Sequence, residues 1–254
     1  MGIGVKIGQT SCACFAAIAA IGVASSTALA QKASLPTALQ RIGRDRLCVT
    51  NGAVTALPGG RLAIETPSSR AVVQVGTENA ADQAAEIHFQ YLGPSQDSKP
   101  LASGELRRQI GLKLRAQDTC NLIYAMWHIE PDARVAVSIK RNADMHTHEQ
   151  CGAHGYINFK SQDSIAPPPP IRPGEAHTLR AELRGRDLTV TADGKVAWRG
   201  PLGDELPLAV GPPGFRTDNA RFAFEYFASA PTGSRATAQR ATSAQARCVI
   251  SDGD

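Results

Sequence analysis

Between residues 46 and 228 the chain is written in short runs of period two. Ile87, Phe89 and Tyr91 alternate with Glu86, His88 and Gln90. Leu106, Ile110, Leu112 and Leu114 alternate with Arg107, Gln109, Lys113 and Arg115, with Arg108 as the one interruption. The same pattern returns in Val135, Val137 and Ile139, in Leu179, Ala181 and Leu183, and in Phe222, Phe224 and Tyr226. Successive strand side chains point to opposite faces, so such alternation predicts strands with one buried and one wet face. The breaks carry turn chemistry: Asn51-Gly52, Pro58-Gly59-Gly60, Gly93-Pro94 and Gly211-Pro212-Pro213-Gly214. Leu188–Thr191 and Lys195–Trp198 flank Asp193-Gly194, and this predicts a two-residue hairpin in which Asp-Gly supplies the positive φ. About a dozen short strands and almost no helix predict an all-β sandwich or barrel.

The ends of the chain break the pattern. Residues 1–30 have Lys6 as their one charge, an apolar run from Cys12 to Val23, and Thr27-Ala28-Leu29-Ala30 before Gln31. That is the tripartite pattern of a cleaved secretory signal, its apolar run too short to span a bilayer. The mature protein is therefore expected to be exported, periplasmic or extracellular, with no transmembrane segment after cleavage. Residues 31–45 read as a lead-in segment holding a short helix or extended chain, and residues 46–228 as the sandwich. Ile165–Pro173, with four consecutive prolines, reads as an extended connector. Residues 229–254 form an Ala/Ser/Thr/Arg-rich tail, which Cys248 is expected to tie back onto the body.

Composition adds two limits. The chain has 27 basic and 23 acidic residues; removing Lys6 with the leader leaves a net charge near +3, with no concentrated basic stripe. No nucleic-acid partner is expected. Four cysteines follow the leader, Cys48, Cys120, Cys151 and Cys248, and an even count in an oxidising compartment predicts two disulfides. Three pairings are open. The expected one is Cys48–Cys248, across the ends of the sandwich, with Cys120–Cys151 closing a local loop.

The C-terminal half adds a resemblance. Gly174-Glu175-Ala176-His177-Thr178-Leu179-Arg180-Ala181-Glu182-Leu183 leads to Leu188-Thr189-Val190, Asp193-Gly194-Lys195 and Trp198, then to Gly214-Phe215-Arg216-Thr217-Asp218-Asn219-Ala220-Arg221-Phe222. This succession, over about Pro173–Phe227, resembles the closing strands of concanavalin A-like lectin/glucanase domains, in particular a laminin-G-like and 3-keto-disaccharide hydrolase-like bacterial branch. The resemblance implies a jelly-roll β-sandwich of two antiparallel sheets. It also implies a carbohydrate or cell-surface glycan as partner.

The central segment is where a site is expected. With Ile123, Ala125, Trp127 and Ile129 in the core, Tyr124, Met126 and His128 face outward. If residues 84–91, 105–117, 120–130 and 133–141 are sequential neighbours in one sheet, His88, Gln90, Gln109, Lys113, Arg115, Ser138 and Lys140 join them. Aromatic planes with amide and cationic donors suit a sugar face; the plainer reading is the solvated side of any antiparallel sheet. The loop from Asn142 to Tyr156 holds His146, His148, His154, Asp144, Glu149 and Cys151. Zinc held by His146, His148 and either His154 or Cys151 is one reading; a loop pinned by Cys120–Cys151 that walls the site with His148, His154 and Tyr156 is the one preferred. No cofactor is expected beyond the small allowance for a structural calcium or zinc ion.

Glucanases of this resemblance carry a Glu-x-Asp-x-x-Glu strand, and the chain has none. Glu86, Glu105, Asp118, Glu130 and Asp132 are scattered at strand ends. The expectation is an exported, non-catalytic carbohydrate-binding module. The alternatives are a glycoside hydrolase using Glu86 and His128, or a structural or adhesion module of the cell envelope.

Overall fold

The computed structural model of the protein describes residues 1–4, 38–74, 82–203 and 211–229. Most of the expected leader, the tail from residue 230 and Cys248 lie outside the described residues. All regular elements fall within the unit Pro36–Asp254. In chain order they are β1 (Leu39–Ile42), β2 (Leu47–Asn51), β3 (Thr55–Ala56), β4 (Leu62–Ile64), β5 (Ser68–Val73), β6 (Gln83–Pro94), β7 (Arg108–Leu114), β8 (Leu122–Glu130), β9 (Arg134–Lys140), α1 (His148–Cys151), β10 (Tyr156–Phe159), β11 (Ala176–Arg184), β12 (Asp187–Ala192), β13 (Lys195–Pro201), β14 (Gly214–Asp218) and β15 (Ala220–Ser229).

Two antiparallel sheets result. One runs β13-β12-β11-β6-β15-β4-β3, with β1 also paired to β15; the other runs β10-β9-β8-β7-β14-β5-β2. This is the all-β sandwich that the alternation predicts, with the two antiparallel sheets of the jelly roll that the resemblance implies. Its core is the set of inward residues: Ile87, Phe89 and Tyr91 on β6 and Phe222, Phe224 and Tyr226 on β15 face Ile110 and Leu112 on β7 and Ile123 and Trp127 on β8. Aromatic edges lock the layers together. The Phe89 ring meets Trp127 at 5.8 Å edge-on, and Phe215 from the second sheet meets Phe224 at 5.1 Å and Tyr226 at 5.3 Å. Such T-shaped pairs add about 0.5–1.5 kcal/mol each beyond the area they bury.

Two sequence expectations change here and a third holds. The lead-in contributes a strand, because β1 pairs with β15 from Leu39↔Ser229 to Ile42↔Tyr226. The sandwich therefore starts before residue 46. The strand β6 is not beside β7: it pairs with β11 and β15 in the other sheet. Local alternation fixes which face of a strand is buried but carries no information on which sheet takes it. The Asp193-Gly194 hairpin forms as read, both residues having positive φ (50° and 74°), and the Asp193 carboxylate accepts from the Thr178 backbone N–H at 2.8 Å.

Cys120 and Cys151 form a disulfide with a Cα–Cα distance of 5.9 Å and 31 residues of separation. Cys48 is also disulfide-bonded and buried, and its expected partner, Cys248, lies outside the described residues. Closing the 31-residue Cys120–Cys151 loop restricts the unfolded chain by about 3.5–4 kcal/mol. The double variant Cys120→Ala/Cys151→Ala is expected to lose about that much in urea unfolding, with a steeper slope because the released unfolded chain exposes more surface; an unchanged midpoint would contradict it.

Candidate functional site

The outward face of the second sheet is a grid set by register. Across it run Cys48, Val72, Gly214, Lys113, Tyr124, Ser138 and Asn158 in one row; Arg70, Arg216, Gly111, Met126 and Ala136 in the next; and Ser68, Asp218, Gln109, His128 and Arg134 in the third. Gly111 is required by close packing, since a Cβ there would lie 2.4 Å from the Met126 sulfur and 2.6 Å from the Ala125 carbonyl oxygen.

Two loops wall this face. On one side, the segment from Lys99 to Arg107 is held by Asn219, which has φ 56° at the turn between β14 and β15. Its amide donates to the carbonyls of Lys99 (2.8 Å) and Arg107 (3.0 Å), and its carbonyl accepts from the Lys99 N–H (2.8 Å). On the other side, the loop around α1 is pinned by the disulfide. Asn121 donates to the Met145 carbonyl (2.9 Å), His146 pairs with Asp118 (2.8 Å), and Gln150 caps α1 by accepting from Thr147 N–H (3.0 Å). Between the walls lies a cleft of about 1050 Å³ running from Asn51 and Arg70 to Tyr156 and Phe159.

At its centre is a polar knot. Asp218, 1% exposed, accepts from Arg216 Nε at 2.7 Å and from Gln109 Nε2 at 2.6 Å. The Arg216 guanidinium lies 5.4 Å from the Tyr124 ring centroid and donates to Tyr156 Oη at 3.3 Å. Burial works most strongly against the Arg216 charge, but Asp218 by charge and hydrogen bond, together with Tyr124 and Tyr156, outweighs it and holds the pKa well above the usual value. The Tyr124 and Tyr156 rings stack at 6.1 Å, and Lys140 Nζ sits 5.5 Å from the Tyr156 ring while donating to the carbonyls of Thr119 and Gly152. At the β9 end, His128 is 4% exposed, with Arg107 at 3.5 Å from its Nε2. Burial, then Arg107 and Arg134, push the imidazole down to about pKa 3, so it is neutral at physiological pH.

Of the residues expected at the site, Gln109, Tyr124, His128, His148 and Tyr156 line the cleft. Tyr124 does so as buried floor, 3% exposed beneath Arg216 and Tyr156; Tyr156, at 38%, is the ring offered to a ligand. Several others lie elsewhere. His88 and Gln90 sit on the outer face of the opposite sheet, where His88 pairs with Glu86 and Gln90 donates to the Gly174 carbonyl. Lys113 keeps its register place beside Tyr124 but is buried to 2% and does not line the cleft. Arg115 has φ 46°, which breaks the alternation and sends its guanidinium to the Gly185 carbonyl at the β11–β12 turn. His154 is exposed on the loop and outside the cleft.

The catalytic pairing of Glu86 with His128 does not form. The core separates them, and Glu86 is bound to His88 and Arg180. Among the described residues lining the cleft, Asp218 is the one carboxylate, and it is consumed by Arg216 and Gln109. A two-carboxylate hydrolytic pair is therefore not assembled there. Among the described residues no three His, Cys, Asp or Glu side chains gather as a metal would need. Of the zinc candidates, His146 is turned to Asp118, and Cys151 is in the disulfide.

Sequence reasoning missed Arg70, Arg107, Arg134, Arg216 and Asp218. The last two carry a readable signal: with Phe215 and Thr217 buried inward, Arg216 and Asp218 must face outward. What could not be read is that β14 lies at the middle of this sheet, between β7 and β5.

No protein-family model and no curated protein matches the chain. Among solved structures it is similar to the carbohydrate-binding module CBM66 from Bacillus subtilis, at 15% identity over 70% of this chain and 91% of that one, with a TM-score of 0.48. It is similar to domain 4 of AbnA, an extracellular arabinanase from Geobacillus stearothermophilus in complex with arabinotriose, at 10% identity over 73% and 84%, TM-score 0.41. A third is the winged bean acidic lectin complexed with methyl-α-D-galactose, at 10% identity over 76% and 99%, TM-score 0.43.

Proposed function

We propose that this chain is an exported, concanavalin A-like, non-catalytic glycan-binding module whose ligand lies in the cleft over the second sheet. The observation that carries the reading is the cleft itself: about 1050 Å³, built on a rigid sheet and offering one exposed aromatic plane, Tyr156, among many polar groups. An aromatic face with convergent amide, hydroxyl and guanidinium donors matches sugars, which present apolar ring faces and hydroxyl edges. Export is supported by the leader pattern and by the disulfides, which persist in oxidising compartments. Among the described residues no helix is long and apolar enough to cross a membrane. The laminin-G-like and 3-keto-disaccharide hydrolase-like resemblance rests on β11 to β15, the strands that build the hairpin and the Asn219 turn.

The test is a glycan array followed by calorimetric titration of the best ligand. At least one glycan is expected to bind, and Tyr156→Ala is expected to weaken it at least tenfold with little change in melting temperature. Binding that ignores Tyr156→Ala, or no glycan above background, would overturn the proposal.

A further inference from the structure

Five cations of the cleft are committed within the protein. Arg216 pairs with Asp218, Arg107 with Glu105 and Arg134 with Asp132. Arg70 donates to Ser68 Oγ at 3.0 Å, and Lys140 donates to the carbonyls of Thr119 and Gly152. An anion reaching for these groups must displace partners already in place, which makes them poor receptors for one.

Neutral groups gather instead at the β9–β10 end. Strand β10 is the edge of the sheet, and Tyr156 and Asn158, two residues apart, stand on its cleft face. Asn158 lies directly opposite Ser138 of β9, and facing residues in such a ladder have Cβ atoms about 4.5–5.5 Å apart. Both line the cleft, Asn158 exposed and Ser138 half-buried, and neither side chain makes a hydrogen bond among the described residues. Ala136, two positions from Ser138 on the same face, is also small, so the floor over β9 is low beside the Tyr156 ring. That ring is held in place, stacked on Tyr124 with its hydroxyl accepting from Arg216.

An amide presents an acceptor and two donors, and a serine hydroxyl one donor and two acceptor positions. Sugar hydroxyls are themselves donors and acceptors, so two neighbouring ones match this pair with no charge on the ligand. The adjacent ring supplies the apolar plane against which a sugar face packs. We infer that the β9–β10 end of the cleft is a subsite for a neutral pyranose, with Tyr156 packing against its ring while Asn158 and Ser138 bond two adjacent hydroxyls. This rests on the cleft being a glycan site, and the test separates the two claims.

Cello-, xylo-, manno-, laminari- and maltohexaose, with an oligogalacturonate as acidic counterpart, are titrated calorimetrically into the full chain. At least one neutral oligosaccharide is expected to bind, its affinity changing less than threefold between about 50 and 500 mM sodium chloride. Asn158→Ala and, independently, Ser138→Ala are each expected to weaken it at least threefold at unchanged melting temperature. Asn158→Asp, which keeps the shape and loses the donors, is expected to do the same. Thr189→Ala, on the outer face of the opposite sheet, leaves binding unchanged. An effect below threefold for any of the three cleft variants, or a Thr189→Ala effect equal to theirs, overturns the subsite and leaves the glycan reading standing. Preference for the oligogalacturonate, or a steeper salt dependence, overturns the neutral selectivity and likewise leaves that reading. No oligosaccharide bound overturns both.

Discussion

Asp218→Asn is expected to cost about 3–5 kcal/mol of folding stability, the range for removing one partner of a buried ion pair. The carboxylate is 1% exposed and holds three neighbours: Arg216 through Nε at 2.7 Å, Gln109 at 2.6 Å and Ser68 Oγ at 3.4 Å. Asparagine keeps the shape and removes the charge. The Arg216 guanidinium, only 12% exposed, is then left over the Tyr124 ring without its counter-ion, and the Tyr156 hydroxyl is too weak an acceptor to replace it. The double variant Asp218→Asn/Arg216→Met removes the stranded charge and is expected to recover much of the loss, which a deletion of hydrogen bonds alone would not. Urea unfolding of wild type and the two variants measures it. A double variant as unstable as Asp218→Asn would show that the loss comes from the carboxylate's hydrogen bonds rather than from the uncompensated charge.

That knot shows where sequence reading ends. The alternation of Phe215, Arg216, Thr217 and Asp218 gives the correct faces, because side-chain direction in a strand is set by the neighbouring residue. Placing Arg216 opposite Arg70 and beside Gly111 depends on β14 entering between β7 and β5, a non-local pairing with no local signature. The same limit explains β6. Its alternation of Ile87, Phe89 and Tyr91 is correct, yet Glu86, His88 and Gln90 emerge on the opposite side of the molecule. Local devices were legible: the Asp193-Gly194 hairpin and the Cys120–Cys151 closure. Asn219 combines a local and a tertiary role. Its positive φ follows from the turn, while its three bonds to the wall from Lys99 to Arg107 are tertiary.

Burial is the other quantity the pattern does not contain. Outward faces read as wet, yet Gln109, Tyr124 and His128 are each under 5% exposed because two loops fold over the sheet. A site read as an open platform is thus a walled cleft, and its floor is set by electrostatics in a poorly hydrated place. Exposed aromatic surface shrinks to Tyr156, and the charged groups gain weight.

His128 makes that burial measurable. In the unfolded chain its pKa is about 6.5. In the fold, burial first, and Arg107 and Arg134 after it, bring it down to about 3, with Glu105 and Asp218 opposing. Between those two values the unfolded chain carries the proton and the folded one does not. The contribution to stability is therefore fully present above pH 6.5 and is lost progressively as pH falls toward 3, by roughly 4–5 kcal/mol over the whole interval. By pH 5 the loss is about 2 kcal/mol, or roughly 4–8 °C in melting temperature for a domain of this size. Other titrating groups contribute their own slopes, so the comparison is with His128→Gln, which cannot take the proton and leaves the remaining groups in place. Wild type is expected to lose about 2 kcal/mol more than His128→Gln between pH 7.5 and pH 5. Parallel stability curves for the two proteins, or an imidazole seen by NMR to titrate near pH 6.5 in the folded state, would mean that His128 is hydrated and that the cleft floor is wet.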